Sequence, residues 1–259
     1  MHDTAMSYAG EFVRDYLADR PPLSIIDIGS QDCELGSLRS VCRPIDKYTG
    51  VDFVAGPNVD VILSDPYKLP FEDNSIDVVL SSSCFEHSEF FWLSFLEIIR
   101  VLKPTGLFYL NVPSNGDFHR YPVDCWRFYP DSGRALERWA KANGFKPAML
   151  ESFTGKQRWD VWNDFVAVFV KDEAHASLYP ARIQDSIRAF SNGLVHGSEE
   201  IHAFSLSPED ATMGIMKRYG RRSVWAAADL REWLYWRFHR LPQRIWAKLR
   251  PYKSASVQR

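Results

Sequence analysis

The stretch Ser24-Ile-Ile-Asp-Ile-Gly-Ser-Gln-Asp-Cys-Glu-Leu-Gly36 constrains the fold of this 259-residue chain more than any other. Ile25, Ile26 and Ile28 form a short apolar run that breaks at Gly29, the pattern of a buried strand ending in a tight turn that opens a helix. Open α/β sheets bind ligands at such strand ends. Twenty-five residues after Asp27, Tyr48-Thr-Gly-Val-Asp52 reads as a second strand ending in an acid, where a carboxylate can accept hydrogen bonds from two ribose hydroxyls. The pair predicts a nucleoside ligand.

The glycines narrow the choice. A dinucleotide fold needs G-x-G-x-x-G, because a side chain at the second glycine holds the backbone away from the pyrophosphate, and Gln31 occupies that place. S-adenosylmethionine has a ribose, an adenine and an amino-acid tail but no phosphate. It needs only the first sharp turn and nearby polar groups, which Gly29, Ser30 and Gln31 offer.

Further segments follow in a fixed order: Ser64-Asp65, Leu69-Pro-Phe71-Glu-Asp-Asn-Ser-Ile-Asp77-Val-Val, and Leu96-Glu-Ile-Ile-Arg-Val-Leu-Lys-Pro-Thr-Gly106. With Asp27-Ile-Gly29 and Gly50-Val-Asp52, they make Ile25 to Pro113 resemble the core of the class I S-adenosylmethionine-dependent methyltransferases, especially the group related to ubiquinone-biosynthesis methyltransferases. The resemblance implies an α/β, doubly wound, mostly parallel seven-stranded sheet, a Rossmann-like methyltransferase fold, over residues 1–171. It implies S-adenosyl-L-methionine as cofactor, held by Asp27, Gly29, Ser30, Asp52, Phe53, Asp65, Pro66, Ser82 and Ser83. Asp65 is expected to face the adenine amino group, the plain alternative being an Asp-Pro turn. Gln31 and Cys33 stand where the family has further glycines, which keeps open a non-catalytic binding protein that retained the fold.

Size and composition fit one α/β domain with an appendage. No run reaches the roughly 18 apolar residues of a membrane span, and charges at Asp3, Glu11, Arg14 and Asp15 are unlike a signal peptide, so a cytoplasmic chain is expected. Cys33, Cys42, Cys84 and Cys125 form no C-x-x-C pair and are read as reduced thiols. Between Ile215 and Arg259, 12 Lys and Arg face two acids, leaving −12 for the rest of a chain whose total is −2. This predicts residues 172–259 as a helical, basic and amphipathic C-terminal extension. Leu230, Trp233, Leu234, Phe238 and Leu241 follow helical spacing among Arg231, Arg237 and Arg240, so the extension suits peripheral contact with the inner face of a membrane. Docking onto the body and RNA binding are the other readings, and no DNA partner is expected.

Along the chain, Tyr8, Phe12, Tyr16 and Leu17 make a helical stripe stopped by Pro21-Pro22. A short helix is expected over Glu34 to Val41, N-capped by Asp32. Strands are expected at Val59 to Leu63, Ile76 to Leu80, Leu107 to Val112, Ala148 to Phe153 and Asp164 to Val170. Trp92, Phe95, Leu96, Ile99 and Leu102 predict a helix from Ser88, and Ser132 to Lys141 another, ended by Asn143-Gly144.

Methyl transfer from a sulfonium mainly requires alignment of acceptor and methyl, with a base when the acceptor is a hydroxyl. The loop Pro113 to Pro130 gathers the residues for an acceptor pocket. His119 is the first candidate base, with a loop-bracing histidine as the alternative. Asp117 and Asp124 are candidates to orient it or to act as the base, the plain alternative being that they cap turns. Arg120 and Arg127 suit a phosphate or carboxylate on the acceptor, with Asp124 beside them as a further substrate-binding residue, and Tyr121, Trp126 and Phe128 suit stacking on a sugar ring, the alternative being a satellite core. Glu86-His87-Ser88-Glu89 offers ligand types for an ion, but three neighbours rarely converge on one without distant partners, so no metal is expected and His87 is the second candidate base. The expected reaction is O-methylation of a sugar, glycolipid or polysaccharide intermediate, the alternatives being a small molecule or RNA as acceptor.

Overall fold

The computed structural model describes residues 3–32, 36–156 and 162–206. The chain divides into two compact units, Met1–Asp210 and Ala211–Arg259, and all described residues belong to the first. The helices expected from Leu230 onward, and the basic segment carrying them, lie outside the described residues.

Apolar runs bounded by turn residues become the central strands of a single mixed sheet of eight among the described residues. The eight are β1 (Ser24–Ile28), β2 (Lys47–Asp52), β3 (Val61–Ile62), β4 (Ile76–Ser82), β5 (Leu102–Pro113), β6 (Ala148–Gly155), β7 (Asp164–Val170) and β8 (Phe190–Val195). They lie in the order β3-β2-β1-β4-β5-β7-β6-β8. β1 pairs parallel with β2 and β4, β3 with β2, and β5 with β4, while β7, β6 and β8 add antiparallel. The seven expected strands are all present, and the doubly wound architecture with them.

The eighth strand is not anticipated by the sequence analysis, which assigns residues 172–259 to a helical extension. Phe190–Val195 pairs with β6, with Ser152 opposite Leu194 and Thr154 opposite Ser191. Residues 172–206 therefore build part of the first unit. The physical reason is Glu151, whose buried carboxylate accepts from the backbone N–H groups of Ile183 (2.7 Å) and Gln184 (3.1 Å) and from the Tyr16 hydroxyl (2.7 Å).

Alternation along the strands sorts side chains between two apolar layers. Ile25, Val78, Tyr109 and Val168 face Tyr8 and Phe12 of helix α1 (Asp3–Phe12), together with Leu17 of the π-helical turn that continues it. Ile26, Val79, Phe108 and Phe169 face Phe95, Ile98 and Ile99 of α2 (Phe91–Val101) and Leu136 and Ala140 of α3 (Ser132–Ala142). Each such burial is worth about 1.5–3 kcal/mol, so the alternating pattern fixes strand register. Arg100 on α2 then clamps the preceding loop, donating to the carbonyls of Leu69 and Phe71, to Asp73 and to Glu97.

In place of the helix expected over residues 34–41, the described part is a 3₁₀ turn, Leu38–Ser40. Its N-cap is Ser37, whose hydroxyl accepts from the Arg39 N–H, rather than Asp32.

Strand order reverses between β1 and β4, and β1, β2, β4 and β5 all run toward the same end of the sheet. In open α/β sheets that end, at that reversal, is where a crevice opens.

Candidate active site

A cavity of about 390 Å³ opens there, within the range of small-molecule sites. One end is bordered by Asp27, Gly29, Ser30, Gln31, Ser82 and Ser83, the other by Glu86, His87, His119, Arg120, Tyr121 and Trp162. Five of the expected cofactor residues, Asp27, Gly29, Ser30, Ser82 and Ser83, thus share one cavity.

Gly29 turns with φ +80°, and a Cβ there would stand 2.6 Å from the Cβ of Cys84. Only glycine permits both the left-handed turn and the close approach of the loop after β4. On that side Ser83 also holds a left-handed conformation, φ 52°, with its N–H donating to the Asn111 carbonyl at 2.9 Å. Backbone held in a sparsely populated region is characteristic of ligand clamps. Gly50 is a second obligatory glycine, since a Cβ would lie 1.9 Å from the carbonyl oxygen of Asn58.

Asp27 sits at the end of β1, 3% exposed, accepting from the Tyr48 hydroxyl. Burial, with Asp52 nearby, pushes its carboxyl up to about 7 against the opposing effect of the Tyr48 hydrogen bond. Asn58 reinforces this corner by donating to the Ser30 carbonyl at 2.9 Å, while Arg39 stacks over the Tyr48 ring at 4.4 Å. Ser82 Oγ is buried with no hydrogen-bond partner among the described residues. A buried acid, an open serine hydroxyl and a glycine-tight turn suit an amino-acid tail bearing an ammonium and a carboxylate.

The ribose and adenine residues are arranged differently. Asp52 ends β2 beside Asp27, and its carboxylate accepts from the N–H groups of Gln31 and Val54, both at 3.2 Å. Asp65 accepts from the Tyr67 N–H at 2.9 Å, closing its own turn, as the turn reading anticipates. Asp52, the half-exposed Phe53, Asp65 and Pro66 lie outside the cavity lining.

At the acceptor end the structure redistributes the expected roles. Asp124 and Arg127, expected to meet the acceptor, bind each other: both guanidinium nitrogens donate to the buried carboxylate, at 2.5 and 2.8 Å. This pair, with the His119 N–H at 2.8 Å on Asp124, holds that carboxyl down to about 2. They brace the loop. Trp126 is a brace too, its indole N–H donating to the Ser88 carbonyl at 2.9 Å and its ring meeting Phe91 and Trp92 edge to face. Asp117 orients His119 through its backbone carbonyl, 3.0 Å from Nδ1, and not through its exposed carboxylate. Arg120 and Tyr121 do border the cavity.

His87 places Nδ1 2.5 Å from the Val123 carbonyl, and burial lowers its pKa. Its ring meets that of His119 edge to face, centroids 4.9 Å apart. Glu86, 1% exposed, borders the same space. Sequence reasoning offers Gln31 as a polar group near the cofactor and Glu86 as an ion-ligand type, and omits Trp162 from the site. Glu86 had a signal in its neighbour His87, but Trp162 lies just before β7 with nothing local to mark it.

The strand order and the crevice at its reversal make a Rossmann-like methyltransferase fold. Residues 37–110 match the family described as "Methyltransferase domain". In Mycobacterium tuberculosis, a phthiotriol/phenolphthiotriol dimycocerosates methyltransferase is 34% identical over 88 residues, 32% of this chain and 28% of that protein. An uncharacterized 37.1 kDa protein in transposon TN4556 of Streptomyces fradiae is 30% identical over 142 residues, 50% of this chain and 39% of that protein. The chain thus matches well under half the length of these relatives. Among solved structures, it is similar to the 1,6-didemethyltoxoflavin-N1-methyltransferase of Burkholderia thailandensis, with bound 1,6-didemethyltoxoflavin and S-adenosylhomocysteine. The identity is 18%, covering 65% of this chain and 79% of that one, with a TM-score of 0.49.

Proposed function

We propose that this protein transfers the methyl group of S-adenosylmethionine to a hydroxyl of a sugar or glycolipid acceptor. The observation that carries the reading is the continuity of one cavity from the Asp27, Ser30 and Ser82 corner to the pair of imidazoles, His87 and His119. Asp27, Ser30 and Ser82 hold the amino-acid tail, and Asp52, at the end of the neighbouring strand, takes the ribose hydroxyls. Bound S-adenosylmethionine supplies a methyl group on a cationic sulfur, a leaving group that needs no further activation.

The chain's task is alignment, worth up to about 7–11 kcal/mol when the reacting atoms are held in line. A hydroxyl acceptor must also lose its proton, and His87 and His119 stand where it would be received. Exposed aromatic residues at the loop, Phe118, Tyr121 and Tyr129, give a surface on which a sugar ring can stack. The mycobacterial relative is named for a lipid substrate, which supports an acceptor carried on lipid. The basic segment beyond residue 215 then serves to hold the enzyme at the inner face of an anionic membrane.

Two measurements test the reading in sequence. Calorimetry with S-adenosylhomocysteine is expected to show one site per chain, and its absence at millimolar ligand defeats the proposal. Methyl-labelled cofactor offered to glycan, lipid, RNA and small-molecule fractions should then label glycan or glycolipid. Label confined to RNA or protein would overturn the choice of acceptor.

A further inference from the structure

The expectation of no metal at Glu86-His87-Ser88-Glu89 rests on the lack of a distant ligand, and the fold brings one. Glu86, His87 and His119 each present a ligand atom, and these atoms lie within 4.8 Å of one another. We propose that Glu86, His87 and His119 form a binding site for a divalent first-row transition-metal ion at the acceptor end of the crevice. One carboxylate with two imidazoles is the donor set of His₂Glu zinc sites and of two-histidine, one-carboxylate iron sites.

Features beyond proximity support it. A ring nitrogen facing a carbonyl oxygen carries the hydrogen, so the Val123 carbonyl on His87 Nδ1 and the Asp117 carbonyl on His119 Nδ1 place the hydrogens there. Each Nε2 is left with its lone pair. Metal-ligating histidines are oriented by this same donation from the second ring nitrogen. His87 Nε2 is 3.7 Å from Glu86 Oε1. That is long for a hydrogen bond, yet near the roughly 3.3 Å between two ligands each about 2.0–2.1 Å from a tetrahedral ion.

Both segments are also held in place. The Glu86 backbone carbonyl accepts from the N–H groups of Cys125 and Trp126, at 2.8 and 3.2 Å, which ties the Glu86–His87 turn to the loop carrying His119. The Asp124–Arg127 pair fixes that loop from within. The three residues also border the cavity, which leaves room for a further ligand such as an acceptor hydroxyl.

The catalytic role of such an ion rests on the proposed methyl transfer to a hydroxyl. With the imidazoles holding the ion instead of acting as the base, the polarised hydroxyl gives its proton to solvent at the mouth, beside exposed Arg120 and Tyr121. The oxygen bonds to the methyl carbon, the carbon–sulfur bond breaks, and its electron pair stays on sulfur.

The test uses the full, tag-free chain, freed of metal by a chelator and titrated with Co²⁺ and then Zn²⁺. Visible absorption of bound Co²⁺ and calorimetry are expected to give one ion per chain. H119A, and E86Q as a near-isosteric second variant, should each weaken Co²⁺ binding by at least about tenfold, the smallest loss usual when even a partner behind a metal ligand is removed. Binding of S-adenosylhomocysteine, measured separately, should survive in both. Absence of stoichiometric Co²⁺ binding, or wild-type affinity in both variants, overturns the site. Co²⁺ binding without binding of S-adenosylhomocysteine leaves the site standing and defeats the methyltransferase reading instead.

Discussion

The Tyr48 hydroxyl donates to the carboxylate of Asp27 from the adjacent strand, and Asp27 borders the crevice. Because burial lifts the Asp27 carboxyl to about 7, its charge changes near neutrality. A ligand carrying an ammonium group favours the ionised form. Affinity for S-adenosylhomocysteine is therefore expected to rise as pH increases from 6 to 8 and then level off, with a proton released on binding below about pH 7. Calorimetry in buffers of different ionisation enthalpy measures both, and Asp27→Asn should flatten the profile.

The same shift has a sign for stability. The folded chain holds this proton more tightly than the unfolded one, so Asp27's contribution falls as pH rises from the ordinary carboxylate range to about 7, and is flat above. Asp27→Asn should accordingly raise the melting temperature at pH 8 more than at pH 5, by about 2–4 °C per kcal/mol relieved. A stabilised variant that binds ligand poorly is the usual compromise at a functional acid.

Gly29→Ala must both adopt a left-handed backbone and press on Cys84. Strain of about 1–3 kcal/mol from each source is expected in urea unfolding. Adding Cys84→Gly removes the two side-chain atoms at 2.6 and 2.7 Å, so the cost of Gly29→Ala should fall by roughly half in that background and not vanish. Equal costs in both backgrounds would show that the backbone conformation alone matters.

Glu151 anchors the segment after β7. Glu151→Ala strands the Tyr16 hydroxyl and the N–H groups of Ile183 and Gln184 in a buried place. A loss of about 3–5 kcal/mol is expected, against about 1 kcal/mol for Tyr16→Phe. Limited proteolysis should cut between residues 172 and 206 sooner in Glu151→Ala than in wild type.

For the basic segment, flotation with vesicles containing anionic lipid is expected to recover the full chain. Replacing Arg231, Arg237 and Arg240 by Glu should abolish recovery, since each cation near the surface is worth about 1 kcal/mol. Unchanged flotation of the triple variant would remove the membrane reading.

Where a feature depends on neighbours in sequence, the chain announces it. The runs Ile25-Ile26, Val78-Val79-Leu80 and Leu107 to Leu110 are apolar because strands covered on both faces must be. The turn at Gly29 is visible for a similarly local reason. Pairings between distant segments are not announced. Asp124 and Arg127 look like acceptor ligands until the loop folds and leaves them facing one another. Glu86 gains His119 only through the tie between two loops. β8 lacks an apolar alternation, because Ser191, Asn192 and Gly193 are placed by β6 and by the anchor at Glu151.

The two margins of the sheet have a bearing on self-association. On one side β3 contributes only Val61 and Ile62, too short to guide an incoming strand. On the other, the pairing of β8 with β6 shifts register between Ser152 and Thr154 of β6, and Gly193 exchanges hydrogen bonds at 2.9 and 2.8 Å with His202 of its own chain. Backbone groups that would recruit another polypeptide are spent internally or are too few. A long, regular margin invites strand-to-strand polymerisation, and among the described residues neither side of the sheet offers one.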